Sequence, residues 1–317
     1  MAPRIYIDGH AGTIGLRIRE LLAGREDLEI LEIEQAARKD ASARKAMLDA
    51  ADVAILCLPD DAAREAVALA DNPKLRFIDG STAHRVADGW VYGLPELSDD
   101  QPAAIAAADR VSNPGCYPTA VILLLRPLID AGLLSKDAPV SVHALSGYSG
   151  GGRPLIERWE DAALGLAQLP HEATYATDRQ HKHIPEMQRF SGLSSPPQFV
   201  PAVGPFRCGM RVQVPLHRSV LDGVDAAALH GALSARYDGS RFIRTLPLGG
   251  EADGDEWRFD PQVCNGTNRV ELRVLESPDG HVVLMAVLDN LGKGASGAAV
   301  QSLNLMLGIP QDRGLAG

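Results

Sequence analysis

The sequence is poor in thiols that lie close enough to pair. Its 317 residues hold four cysteines, Cys57, Cys116, Cys208 and Cys264, all widely separated. No two form a C-x-x-C pair, which excludes zinc-ribbon and thioredoxin-like frameworks. Four scattered thiols do not make a disulfide scaffold, and they fit a reducing compartment. No apolar run reaches the length of a membrane span. The chain also lacks internal repeats and low-complexity tracts. Positive charge is in deficit: 31 Lys and Arg stand against 41 Asp and Glu, a formal net charge of −10. That balance argues against non-specific nucleic-acid binding, yet it permits a local basic pocket for a small anion. A strand expected from Arg4 leaves no room for a signal peptide. The expectation is therefore a cytoplasmic protein with neither nucleic acid nor membrane as partner.

What is present is ordinary soluble-protein material: 45% hydrophobic and 23% charged residues. Such a chain buries a large core and needs no metal or disulfide for stability. Arg4 to Asp8 reads as a short parallel strand. Gly9, Gly12 and Gly15 follow as G-x-x-G-x-x-G, and then Thr13 and Ile14 open an apolar-periodic helix. Strand, glycine turn and helix form the unit that sets a pyrophosphate on backbone N–H groups at a helix N-terminus. Strands are expected at 28–33, 52–58 and 76–79, with a helix over 60–70 between them. That alternation indicates a doubly wound α/β sheet. Cys57 falls within a strand and reads as an inert core residue. Glu34 stands where an acid accepts the ribose 2′-OH of NAD, whereas Arg38 and Lys39 are placed to hold the 2′-phosphate of NADP. Spacing leaves both open.

The segment Ser112 to Ala120, S-N-P-G-C-Y-P-T-A, carries the chemistry. Cys116 follows a Pro-Gly turn, Pro118 fits a first helical turn, and an apolar helix body comes next. A thiol at a helix N-terminus is favoured as thiolate, the nucleophilic form. Further on, a strand over 140–145 leads into the Gly- and Ser-rich run Ser146 to Arg153. Arg153 is a candidate anion clamp there. H-K-H-I-P-E, His181 to Glu186, reads as extended, with both histidines on one side. One imidazole near Cys116 suits acid–base work, with Glu186 to orient it. Zinc ligation lacks the required spacings, so no metal is expected. Strands over 198–214, 270–275 and 281–288 indicate an antiparallel or mixed sheet. A glycine-rich loop from Asp289 then enters an amphipathic C-terminal helix.

Together these motifs resemble the N-acetyl-γ-glutamyl-phosphate reductases of arginine biosynthesis, most closely the shorter of their two types. The resemblance runs nearly end to end. It includes D-G-S-T-A-H-R at Asp79 to Arg85, Y-G-L-P-E-L at Tyr92 to Leu97, S-N-P-G-C-Y-P-T, S-G-Y-S-G-G-G-R, H-K-H-I-P-E and N-L-G-K-G-A-S-G-A-A-V-Q. Aspartate-semialdehyde dehydrogenases share the layout, but place their nucleophile in a different local setting, and rank second. The resemblance implies a Rossmann-like domain over 1–115 with 290–317, and an α+β catalytic and oligomerisation domain over 116–289. It implies NADP, an acyl-phosphate substrate, and a homodimer or homotetramer. Cys116 then matches the nucleophile, His183 the acid–base residue and Glu186 its orienter. Gly9, Gly12, Thr13, Ile14, Gly15, Arg38, Ser81, Asn290 and Lys293 match the cofactor side. Arg85, Asn113, Ser149, Arg153 and His181 match the substrate side, with Arg85 and Arg153 as candidates for the phosphate.

Overall fold

Ile5, Tyr6 and Ile7 are buried on both faces of β1 (Arg4–Asp8), as a central parallel strand requires. The computed structural model describes residues 2–161, 163, 168, 170–178, 181–248 and 259–317. After β1 come α1 (Thr13–Leu22), β2 (Glu29–Leu31), α2 (Ala41–Ala50), β3 (Val53–Leu56) and α3 (Asp60–Leu69). Then follow β4 (Arg76–Asp79), β5 (Val91–Tyr92), α4 (Gln101–Ala107) and β6 (Arg110–Ser112). The sheet runs β2-β1-β3-β4-β6-β5, and its strand pairings are parallel. Strand order reverses between β1 and β3, which is the switch point where such sheets open a ligand crevice. Asp40 caps α2 by accepting the Ala43 N–H at 2.8 Å.

Two of these strands are shorter than the sequence indicates. The strand expected over 28–33 keeps only Glu29–Leu31, an edge strand with no fully buried residue. The run expected over 52–58 stops at Leu56, because Cys57 and Leu58 leave the sheet to meet the glycine turn and Pro59 caps α3.

The chain separates into two units, Met1–Gly115 with Ala295–Leu315, and Cys116–Gly294 with Ala316–Gly317. The second opens with α5 (Cys116–Asp130), apolar all round and almost wholly buried. Then come β7 (Ser141–Gly147), α6 (Gly152–Trp159), β8 (Ala173–Thr174), α7 (Ile184–Ser191), β9 (Gln198–Gly204) and β10 (Met210–Leu216). α8 (Arg218–Leu221), α9 (Ala226–Arg236), β11 (Ile243–Thr245), β12 (Val270–Glu276) and β13 (Val282–Leu288) complete it. Its sheet, β11-β12-β13-β10-β7-β9-β8, is mixed: β7/β9 and β11/β12 are parallel, the rest antiparallel. α5 packs on α7, α9, β10 and β13.

The last helix, α10 (Gly297–Met306), belongs to the first unit and packs on α1, α4 and β4. Amphipathicity was the expectation. Instead nine of its ten residues are buried, since helices and sheet cover it on several sides. The fold is thus α/β with a parallel-sheet unit and a second sheet unit.

Candidate active site

In the first unit the glycine turn is built from backbone. Asp8 ends β1 and is buried; Arg44 of α2 reaches it with Nε and Nη2, at 3.1 and 2.8 Å from Oδ2. Removing one partner of such a buried pair costs about 3–5 kcal/mol. Gly9 follows with φ +85°, and a Cβ there would lie 2.3 Å from the Cys57 carbonyl oxygen. A Cβ on Gly15 would lie 2.6 Å from the Gly9 oxygen. Gly12 is less crowded; its N–H donates to the Gly9 carbonyl at 3.0 Å, and it caps α1 without a side chain. Helix geometry leaves the N–H groups of Thr13, Ile14 and Gly15 without intrahelical partners. This cradle, which side chains would fill, fits a dinucleotide pyrophosphate. Glu34 and Lys39 are exposed, and Arg38 is half-buried in the turn after β2.

At the end of β4, fully buried Asp79 organises the next loop. It accepts the Ser81 N–H at 2.9 Å, the Ser81 hydroxyl at 2.7 Å and meets His84 Nδ1 at 2.6 Å. His84 stacks on Trp90 at 4.1 Å between centroids. Arg85 is 9% exposed and donates Nη2 to the Gly80 carbonyl at 3.1 Å. Asn113 donates its main-chain N–H to the Asp79 carbonyl at 2.7 Å and its Nδ2 to the Ala295 carbonyl at 3.0 Å. Its Oδ1 is buried with no hydrogen-bond partner among the described residues. Ser81, Arg85 and Asn113 are therefore gathered around one strand end. A cleft of about 740 Å³ lies at the opposite end of β4, β5 and β6, with Leu75, Phe77 and Trp90 in its lining. Its lining carries no thiol or imidazole.

In the second unit the site is built from side chains. Cys116 is the first residue of α5 and half-buried. Pro118 removes an N–H that the first turn leaves unused anyway. Gly294 comes so close that a Cβ on it would sit 2.8 Å from the Cys116 Cβ. Burial pushes the Cys57 thiol up to about 12 and Cys264 up to about 11, which keeps both protonated and inert.

H-K-H-I-P-E is not extended, contrary to the expectation. His181 and Lys182 form a turn, His183 caps α7, and Pro185 and Glu186 occupy its first turn. Proline and an acid at those positions are helix-start signals, and they win over the extended reading. The two imidazoles still meet, at 4.7 Å and 72°. Tyr117 lies 5.8 Å from each, edge on. Phe199 of β9 closes the group, 5.1 Å from Tyr117 and 5.0 Å from His181. Tyr175 donates to the Tyr117 hydroxyl at 3.1 Å and stands 3.4 Å from His181 Nε2. His183 and Glu186 are buried, 7% and 1% exposed.

The other second-unit candidates lie in braced structure. Asn290 donates Nδ2 to Ser149 Oγ at 2.9 Å and accepts the Gly209 N–H at 2.8 Å, so both ends of its amide are engaged. Ser149 is also 3.5 Å from the Cys208 sulfur. Lys293 is fully buried, its Nζ 5.7 Å above the Phe242 ring. Arg153 stands on the exposed first turn of α6 and donates to Glu157 at 2.6 Å. The run expected to be a glycine-rich loop is ordered: Tyr148 and Ser149 donate main-chain N–H groups to the Phe206 and Arg207 carbonyls. Sequence reasoning missed Tyr175, Phe199, Asp79 and Arg44. Only Asp79 carried a signal, as an acid at a strand end before Gly-Ser.

Comparison with known proteins agrees with this layout. The family model for the semialdehyde dehydrogenase NAD binding domain matches residues 4–106, and that for the semialdehyde dehydrogenase dimerisation domain matches residues 116–290. The chain is 50% identical to N-acetyl-gamma-glutamyl-phosphate reductase 2 of Pseudomonas putida, over 98% of this chain and 99% of that one. It is 49% identical to the reductase of Burkholderia orbicola, over 96% and 97%. With reductase 2 of a Nostoc species the identity is 46%, over 99% of both. Among solved structures, aspartate semialdehyde dehydrogenase II of Vibrio cholerae, complexed with ASA, aligns with a TM-score of 0.72 at 17% identity, over 97% of this chain and 98% of that one. The Candida albicans aspartate semialdehyde dehydrogenase with NADP aligns at 0.67 and 12%, over 97% and 99%. These two share the fold. A nicotinamide-dinucleotide domain and a dimerisation domain are thus present, and no described helix is long and apolar enough to cross a membrane. With relatives about half identical over nearly their whole length, this chain belongs to the N-acetyl-γ-glutamyl-phosphate reductase family, within the wider semialdehyde dehydrogenases.

Proposed function

We propose that this chain reduces N-acetyl-γ-glutamyl phosphate to N-acetylglutamate 5-semialdehyde and phosphate, with NADPH, as a cytoplasmic homodimer or homotetramer serving arginine biosynthesis. The supporting observation is Cys116, a half-buried thiol on the first turn of α5, backed by Gly294 and placed beside the Tyr117, His181 and His183 ring group. In this reading the first unit is the dinucleotide domain and the second the catalytic and oligomerisation domain.

The chemistry needs a nucleophile that also leaves easily. The Cys116 thiolate attacks the acyl carbon, the C–O bond to phosphate breaks, and phosphate departs with the electron pair. A thioester on Cys116 remains. Bound NADPH supplies a hydride to the thioester carbon. His183 then stabilises the oxyanion of the Cys116 adduct, the kind of contact worth several kcal/mol at a preorganised site. Collapse breaks the C–S bond, frees the aldehyde and returns the thiolate. One proton is consumed overall, and His183 would relay it, with Glu186 to orient the ring.

Gly9, Gly12, Thr13, Ile14 and Gly15 would hold the pyrophosphate, with Ser81 and Arg38 further along the dinucleotide. Arg85, Asn113, Ser149 and Arg153 are assigned to the substrate side, with Arg85 or Arg153 to receive the phosphate. Asn290 and Lys293 are assigned to the cofactor side; inside the second unit Asn290 is held by Ser149 and Gly209. The test is the reverse reaction: N-acetylglutamate 5-semialdehyde, phosphate and NADP, followed at the nicotinamide absorbance, with NAD in parallel. Phosphate-dependent signal that vanishes in Cys116→Ala supports the reading. Signal only with aspartate semialdehyde transfers the chain to the neighbouring activity and leaves the fold untouched.

A further inference from the structure

The two histidines of H-K-H-I-P-E do different work, and one backbone hydrogen bond separates them. The main-chain N–H of His183 points at Nδ1 of His181, with 3.1 Å between nitrogens. A backbone N–H has only a donor to offer, so Nδ1 must present a lone pair. A neutral imidazole has one ring proton, which is then on Nε2. That nitrogen faces the Tyr175 hydroxyl at 3.4 Å, so it donates to the Tyr175 oxygen. The Tyr175 proton is left to go to Tyr117, at 3.1 Å. The bonds run in one direction: His181 to Tyr175 to Tyr117, the residue after Cys116. Burial pushes Tyr175 up to about 12 and Tyr117 well above the usual phenol range, so both stay protonated.

We propose that His181 is a positioning residue, locked as the Nε2–H tautomer, that seats His183 at the start of α7 and ties it through Tyr175 to the Cys116 turn. The N–H it takes is one that helix geometry leaves unused. In a capping box, the acid three residues on would bond that N–H. That acid is Glu186, buried in the first turn of α7, and His181 takes its capping place. Phe199 and Tyr117 hold the His181 ring edge on, which fixes its plane. The kinetic consequence rests on the function proposed above; the tautomer does not.

Two measurements on the full chain test it. In the first, histidine is labelled with ¹⁵N and the long-range proton–nitrogen spectrum of the wild type is assigned with His181→Asn. The expected pattern for His181 is a pyridine-like Nδ1 and a pyrrole-like Nε2 at neutral pH. The reverse tautomer, or a doubly protonated ring, overturns the proposal. The second compares His181→Asn, whose Oδ1 accepts an N–H two residues on, with His181→Phe, which keeps the ring and loses both bonds. Asn is expected to retain kcat within roughly tenfold while Phe loses roughly 100-fold, with KM changed little in either, as for a residue acting through another. Equal losses in both variants, or a rise confined to KM, overturn positioning in favour of chemistry or substrate contact. If the wild type turned over no acyl phosphate at all, the proposed function would fall and the tautomer result would still decide the geometry.

Discussion

The glycine turn of the first unit and the thiol–histidine group of the second are built from opposite materials. The first is bare backbone: Gly9 and Gly15 are glycine because a Cβ on either would run into main chain at 2.3 or 2.6 Å. The second is made of side chains from α5, β9, the cap of α7 and the residue after β8, held by ring contacts and a hydrogen bond from Tyr175 to Tyr117. A backbone site tolerates almost no added atom but asks little of its neighbours' chemistry. A side-chain site accepts modest changes of shape but fails when one functional group is removed.

The sharpest break is at Cys116. Cys116→Ser should abolish reductive turnover, a loss on the order of 10⁴-fold or more, because the adduct must expel its heteroatom easily. Dinucleotide affinity, measured by fluorescence titration, should stay within a few-fold. Retained activity would remove the covalent route. Next is His183→Asn, expected to cut kcat by roughly 10²-fold, the scale of an acid–base residue. An effect limited to KM would make it a binding group instead.

The backbone site breaks in another way. Gly9→Ala forces a Cβ into the Cys57 carbonyl at positive φ, a strain of about 1–3 kcal/mol. Both the melting midpoint and dinucleotide affinity should fall. Gly12→Ala meets only the Gly9 oxygen, at 3.4 Å, and should be much milder. Equal damage at the two positions would mean that crowding against β3 is not what sets the turn.

This contrast explains what the sequence made legible. β1 and β4 lie where their patterns put them, and α5 starts at Cys116. Each is a local matter of residue type and spacing. The ring group was legible only in pieces, since Phe199 comes from a separate strand and nothing in the neighbours of Tyr175, six residues before His181, marks it. The histidine spacing of H-K-H-I-P-E suits an extended segment, but Pro185 and Glu186 are helix-start residues and the chain follows them. The Asn290 bonds to Ser149 and Gly209 depend on how β10 and β13 pair, which a single sequence does not reveal.

A smaller effect tests whether the side-chain site also has a backbone limit. Gly294→Ala brings a Cβ to 2.8 Å from the Cys116 Cβ and should displace the thiol by a few tenths of an ångström. A drop in kcat of roughly tenfold is expected, since a misplacement near 1 Å costs about 10²-fold. Gly231→Ala, in α9 with open space around it, is the control: turnover unchanged and stability raised by about 1 kcal/mol. If both variants left turnover intact, close approach at Gly294 would not matter to the thiol.

The smallest effect is in the pH dependence of stability. Burial raises Tyr175 to about 12, so the folded chain holds that proton more tightly than the unfolded one, where a phenol ionises near 10. Its contribution is therefore full below about pH 10 and is lost as pH rises toward 12, with a slope of at most about 1.4 kcal/mol per pH unit. Tyr175→Phe removes that proton linkage. Urea midpoints at pH 8, 10 and 11 should converge between variant and wild type as pH rises, because only the wild type has the term to lose. Parallel curves would mean that Tyr175 reaches water freely, and the chain from His181 to Tyr117 would then be too loose to hold His183 in place.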